Sequence, residues 1–186
     1  MDRRQSLGLL GAFLASAAWA WARAGAATTA RAVSLPSLVA RSTRIVRGLP
    51  LEASATFETI GNSRHIVTYT RLRVDELIQG GPPESELWLR TLGGRKDKLG
   101  EIVHGEADLV LNEACLVFIA ANPDGIDEVT AMAQGHYPIL NDASGTPRLS
   151  VSHNMAHLVG GPGSAVAKLA GTELGEARAL ILGARP

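Results

Sequence analysis

The sequence is poor in cysteine. A single thiol, Cys115, stands in 186 residues, so no internal disulfide can form and stability rests on burial alone. Charge of one sign is equally scarce, with 18 basic residues against 18 acidic ones. A near-neutral chain with scattered charge has no electrostatic footprint for nucleic acid or for an anionic membrane surface. Lysine is confined to Lys96, Lys98 and Lys168, and with heavy Ala and Gly use this reflects codon bias rather than function. Heptads and internal repeats are missing. So are the common nucleophile signatures: Ser63, Ser144 and Ser164 sit in no G-x-S-x-G elbow, and Ser164 and Lys168 are one residue too far apart for S-x-x-K. The Gly160–Lys168 stretch lacks the G-K-[ST] ending that would cradle a phosphate.

The N-terminus carries a three-part pattern. Asp2-Arg3-Arg4-Gln5 is a short, net-basic start, and Leu7 to Ala22 is uncharged and apolar. Small residues follow at cleavage spacing, best at Ala24-Gly25-Ala26, with Ala20-Trp21-Ala22 and Ala30-Arg31-Ala32 as competitors. This predicts a cleavable signal peptide over residues 1–26 and a periplasmic or secreted product. The apolar run is shorter than the ~20 residues that span a bilayer, so no stable membrane anchor is expected after cleavage. Arg3-Arg4 with Leu7 also resembles a twin-arginine signal, departing from it at Ser6 and Gly8, and both export routes stay open. Cleavage after Ala26 leaves one domain of 160 residues with net charge −2.

The remainder reads as β-structure. Residues 27–37 are expected to be extended, and residues 38–151 to form the barrel domain. A long first strand runs from Leu38 to Thr59, bent or bulged at Gly48 and Pro50. His65–Val74 alternates Ile66, Thr68, Thr70, Leu72 and Val74 against Val67, Tyr69, Arg71 and Arg73, the period of a half-buried strand. Glu86–Leu92 is a third strand. Ala114–Ile119 is apolar on both parities, as in a fully buried central strand, and Cys115 within it is a core thiol. Asn122-Pro123-Asp124-Gly125 has turn formers in their preferred order and predicts a hairpin into Glu128–Gln134. Asn141–Gly145 is a second turn. Residues 152–186 form a Gly-rich segment followed by a helix over Thr172–Gly183, with Leu174, Ala177 and Ile181 facing the barrel. The fold class expected is all-β, a small barrel of five to seven strands with a short C-terminal helix.

The order of these signals carries a resemblance. Ile45-Val46-Arg47-Gly48, then Thr70 through Gly80, Glu86–Leu92 with Gly93-Gly94, and Gly105-Glu106 before Leu116–Ile119 resemble a group of uncharacterised exported bacterial proteins. More remotely, the order is similar to the OB-fold barrels of the netrin and metalloproteinase-inhibitor type. The resemblance implies a five-stranded barrel and an exported binding role. It does not carry over inhibitor activity, because the N-terminal cysteine that chelates the target's zinc and the disulfides of that branch are missing here.

Two constellations are candidates for chemistry. Tyr69, Arg71 and Arg73, with Trp88 and Arg90 on the neighbouring strand, form a row on the outer face, and OB barrels often bind ligands on their second and third strands. The partner expected is a protein or a cell-envelope component, bound without catalysis; nucleic acid is not. His153 and His157, four apart, would share a face of a helix and could hold zinc, with His136, His104 or Asp142 as third ligand. On a strand the same pair would lie about 13 Å apart, too far to chelate. The alternative function is therefore a small metal-dependent hydrolase built on His153 and His157, with zinc its one possible cofactor. A third reading is a structural accessory protein of the envelope. The carboxylates Asp75-Glu76, Asp108, Glu113 and Asp127-Glu128 are scattered, and strand neighbours point to opposite faces.

Overall fold

The computed structural model describes residues 29–159 and 161–185. The expected signal peptide, residues 1–26, lies outside them. The chain forms β1 (Thr29–Arg31), α1 (Leu35–Arg41), β2 (Arg44–Ile60), β3 (Ser63–Gly80), β4 (Glu86–Leu92), β5 (Gly94–Lys96) and β6 (Leu99–Glu101). It continues with β7 (Cys115–Ala121), β8 (Asp127–Val129), β9 (His136–Asn141), β10 (Pro147–Leu149), β11 (His157–Val159), α2 (Ala165–Leu169) and α3 (Leu174–Gly183).

The sheet closes on itself. β2, β3 and β4 form an antiparallel meander, β4 pairs in parallel with β8 through Arg90 and Glu128, β8 pairs antiparallel with β7, and β7 returns to β2. These five strands make the barrel, and β9 and β10 extend the sheet, β9 pairing with Cys115–Val117 along the same edge of β7 that carries β8 further on. The protein is an all-β barrel with a short C-terminal helix.

Closure depends on the expected bend. The β2–β3 register shifts at Ile45/Val46, Arg47/Gly48 and Pro50/Glu52, around the Gly and Pro that marked it in the sequence. Bulges increase the local twist and let a long ribbon serve both a barrel wall and a projecting arm. Gly48 is required for space: a Cβ there would overlap the Arg73 carbonyl oxygen and lie 2.9 Å from Leu72 Cγ. Gly48→Ala is expected to cost about 1–3 kcal/mol through overpacking, read as a lowered midpoint in urea. An unchanged midpoint would mean that the strands can separate there freely.

The alternation of β7 serves two cores. Cys115, Val117 and Ile119 point into the barrel with Val46, Leu72, Leu87, Leu89 and Val129. Leu116 and Phe118 point the other way, into a second layer with Leu35, Leu38, Val39, Tyr137, Leu149, Leu169 and Ile181. This explains why the strand is apolar on both parities. Burial pushes the Cys115 thiol up to about 12, so it stays protonated and inert in the barrel core.

Three local expectations are corrected. Residues 35–41 are helical rather than extended: the Ser34 hydroxyl accepts from Ser37 N, Pro36 sits in the first turn, and Leu35, Leu38 and Val39 bury one face. β8 ends at Val129 rather than running to Gln134, because Ala131 and Met132 both adopt positive φ and lead into a 3-10 turn over Met132–Gly135. The Gly-rich segment contains α2, capped by Ser164, whose hydroxyl accepts from Ala167 N at 3.0 Å. Both predicted hairpin turns form. Asn122 Oδ1 accepts from Asp124 N and Ile126 N, and Asp142 Oδ1 accepts from Ser144 N and Thr146 N. The C-terminal helix buries Ala177 and Ile181 as expected, with Leu174 packed partly against the same layer.

Candidate functional site

Side-chain volume inside the barrel falls away toward one end. The inward row Ala53–Thr70–Leu89 is followed by Ala55–Thr68–Thr91, each row set by the β2–β3 and β3–β4 registers. Alanine and threonine cannot fill a space that the leucines and valines fill deeper in, so the mouth of the barrel stays open as a cleft of about 670 Å³. Barrel mouths are common ligand sites. The segment between Leu92 and Leu109 forms the opposite wall, with His153 and Asn154 at the rim.

That wall is fastened by polar contacts. Thr68 Oγ1 donates to the Gly93 carbonyl at 2.7 Å. Gly94 has φ +127°, and a Cβ on it would overlap Thr68 Oγ1, so only glycine lets β5 cross here. Glu101 accepts from Ile66 N and pairs with His65 Nδ1 at 2.7 Å, and both interactions hold its carboxyl below the usual range. Asn154 Nδ2 donates to the carbonyls of Val103 and Glu106 at 2.9 and 3.2 Å, pinning the loop from behind.

Two buried polar side chains line the cleft. Thr70 is 1 % exposed and lines the cleft beside Thr68 and Thr91. Glu106 is 8 % exposed; its Oε1 accepts from Ala107 N at 2.9 Å and its Oε2 from Leu92 N at 3.3 Å. Desolvation pushes its pKa up, the two backbone donors pull it down, and the carboxylate of Glu128 raises it further. No cation is among the groups that move it, and Glu106 forms no ion pair among the described residues.

The outer-face row assembles as the strand period predicted, but its cations are engaged. Tyr69 stands opposite Arg90, Arg71 opposite Trp88, and Arg73 opposite Glu86. Arg90 binds Glu128 and, at 2.8 Å, Glu58, which also accepts from the Tyr69 hydroxyl at 2.7 Å. Arg71 binds Glu52 and Glu86 at 3.2 and 3.0 Å, and Arg73 binds Asp75 at 2.9 Å. The face is a neutralised ion-pair lattice with a half-exposed Trp88. Strand pairing holds the missing signal: Glu52 lies directly across from Arg71, and Glu128 from Arg90.

His153 and His157 do not share a helix. His153 lies in a turn with its Nε2 2.8 Å from Glu113 Oε1, while His157 opens β11 opposite Thr29. Of the suggested third ligands, His136 is buried against Ser152, and Asp142 is held by Ser144 and Arg148. No group of three or more His, Cys, Asp or Glu side chains is placed to hold a metal among the described residues. Among those residues no helix is long and apolar enough to cross a membrane. No protein-family model matches the chain, and no curated protein matches it in sequence.

Proposed function

We propose that this is an exported, non-catalytic binding module on an OB-type barrel, and that it takes a cell-envelope component into the cleft at the barrel mouth. Numbering the five barrel strands in chain order gives the circuit 1-2-3-5-4-1, with the single parallel pairing between the third and fifth, which supports the OB reading. The basic, apolar and small-residue pattern of residues 1–26 supports export. One observation carries the binding role: the alanines and threonines of two successive inward rows, Ala53–Thr70–Leu89 and Ala55–Thr68–Thr91, leave the barrel end unfilled, with Thr70 and Glu106 buried in its wall. The outer arginines are a weaker site, because a ligand would first have to displace carboxylates already in place.

Filling the cleft tests this reading. Ala53 is exposed on the inward face, so Ala53→Phe projects into open space rather than into the core. With a muramidase digest of bacterial cell wall as probe, ligand-observed NMR is expected to show saturation transfer from the wild type and from Arg71→Glu/Arg73→Glu, but not from Ala53→Phe. Equal transfer from Ala53→Phe would overturn the cleft as the site. Loss confined to the double arginine variant would move binding to the outer face.

A further inference from the structure

We infer that the ligand of this cleft carries a primary ammonium group, which it places against Glu106. The inference rests on the cleft being the binding site and adds the chemistry of its ligand. A carboxyl at 8 % exposure is costly to ionise unless a cation compensates, and buried charges in proteins are nearly always paired. Among the described residues Glu106 accepts from two backbone N–H groups, those of Leu92 and Ala107, and these leave part of its acceptor capacity free. Arg95, the one guanidinium that lines the cleft among the described residues, is exposed and is not among the groups that act on Glu106. The imidazole of His153 is taken up by Glu113.

The hydroxyls around the cleft lean the same way. Thr68 spends its proton on the Gly93 carbonyl, and Thr91 directs its own toward the Thr68 carbonyl at 3.4 Å. Both therefore present lone pairs to the cleft and no donor. Thr70 is buried and lines the cleft, and its hydroxyl adds two further lone pairs. A lining of acceptors beside an uncompensated carboxyl selects a donor-rich cation over an anion or a purely apolar body. The floor of Ala53 and Ala55 lets a ring or an alkyl stem lie flat while its amine reaches the wall.

The test uses matched pairs in which acetylation replaces the charged amine with a neutral amide: the glucosamine disaccharide against its N,N′-diacetyl form, and Nα-acetyl-lysine amide against its Nε-acetyl form. The first pair represents an amino sugar and the second an amino-acid side chain. Calorimetric titration of the purified protein is expected to show binding of at least one amine probe, with its acetylated partner at least tenfold weaker. Glu106→Gln keeps the shape and one backbone acceptor, and is expected to abolish the discrimination. Thermal melting checks that this variant is folded. Thr70→Val, isosteric and making none of the contacts that fasten the loop, is expected to weaken the amine probe severalfold.

Equal affinity for free and acetylated probes, lost on Ala53→Phe, would overturn the ammonium inference while leaving the cleft as the binding site. Amine binding that persists in Ala53→Phe would place it elsewhere and overturn the inference. No binding of either amine probe would also overturn it, and the wall-digest experiment decides the cleft separately.

Discussion

Phe118→Ala is expected to lower stability by about 3–5 kcal/mol, more than any substitution at the cleft. Phe118 is completely buried in the layer between the barrel wall and the three helices, and its ring meets Tyr137 edge-on with centroids 6.1 Å apart. The helices are 7, 5 and 10 residues long, too short to persist without tertiary packing. The Tyr137 hydroxyl is buried with no hydrogen-bond partner among the described residues, so the centre of this layer is held by apolar contact, while polar links such as Arg148–Glu173 lie at its rim. Truncating its central ring removes the surface on which Leu38, Leu169 and Ile181 converge. Urea denaturation followed by far-UV circular dichroism measures the loss. A cost below about 1 kcal/mol would mean that the helices collapse into the gap, and that the outer layer is not part of the cooperative unit.

The same layer marks where the sequence was readable and where it was not. Glu86–Leu92 was found to the residue, and both turns were found from Asn, Asp and Gly, because these signals act through the nearest few residues. The bend in β2 was also local, written in Gly48 and Pro50. α1 was missed because Leu38–Ile45 is rich in residues that suit either state; the Ser34 cap and Pro36 decide it, together with a core contributed from residues as distant as Ile181. Glu106 escaped for a different reason. As a lone carboxylate beside a glycine it carries no motif, and only closure of the barrel buries it behind Leu92. Ala53 and Ala55 were equally mute, since two alanines in a strand are unremarkable until their register sets them beside Thr70 and Thr68. The outer row was visible by period alone, but pairing partners lie on other strands, so the neutralisation of Arg71 and Arg90 was hidden.

Acid is expected to destabilise the protein through His136. This residue opens β9 opposite Val117, is 1 % exposed, and places Nδ1 2.9 Å from Ser152 Oγ. Burial first, and then the neighbouring imidazole of His153, depress its pKa from 6.5 to about 4. The unfolded chain therefore takes up the proton before the folded one does. The full stability is present above about pH 6.5, is lost progressively as pH falls toward 4, and amounts to about 3 kcal/mol over that window. Roughly 2 kcal/mol of it is gone by pH 5. Urea titrations at pH 7, 6 and 5 should show this slope in the wild type and little of it in His136→Gln, which can still bond Ser152. Parallel slopes in the two proteins would rule His136 out as the source. The consequence reaches the cleft, because Ser152 lies two residues before Asn154, whose amide pins the Val103 and Glu106 carbonyls. A proton on His136 works against the segment that carries both contacts, so the cleft wall should loosen in acid before the barrel strands separate, and exchange of the Glu106 and Ala107 amides should report it first.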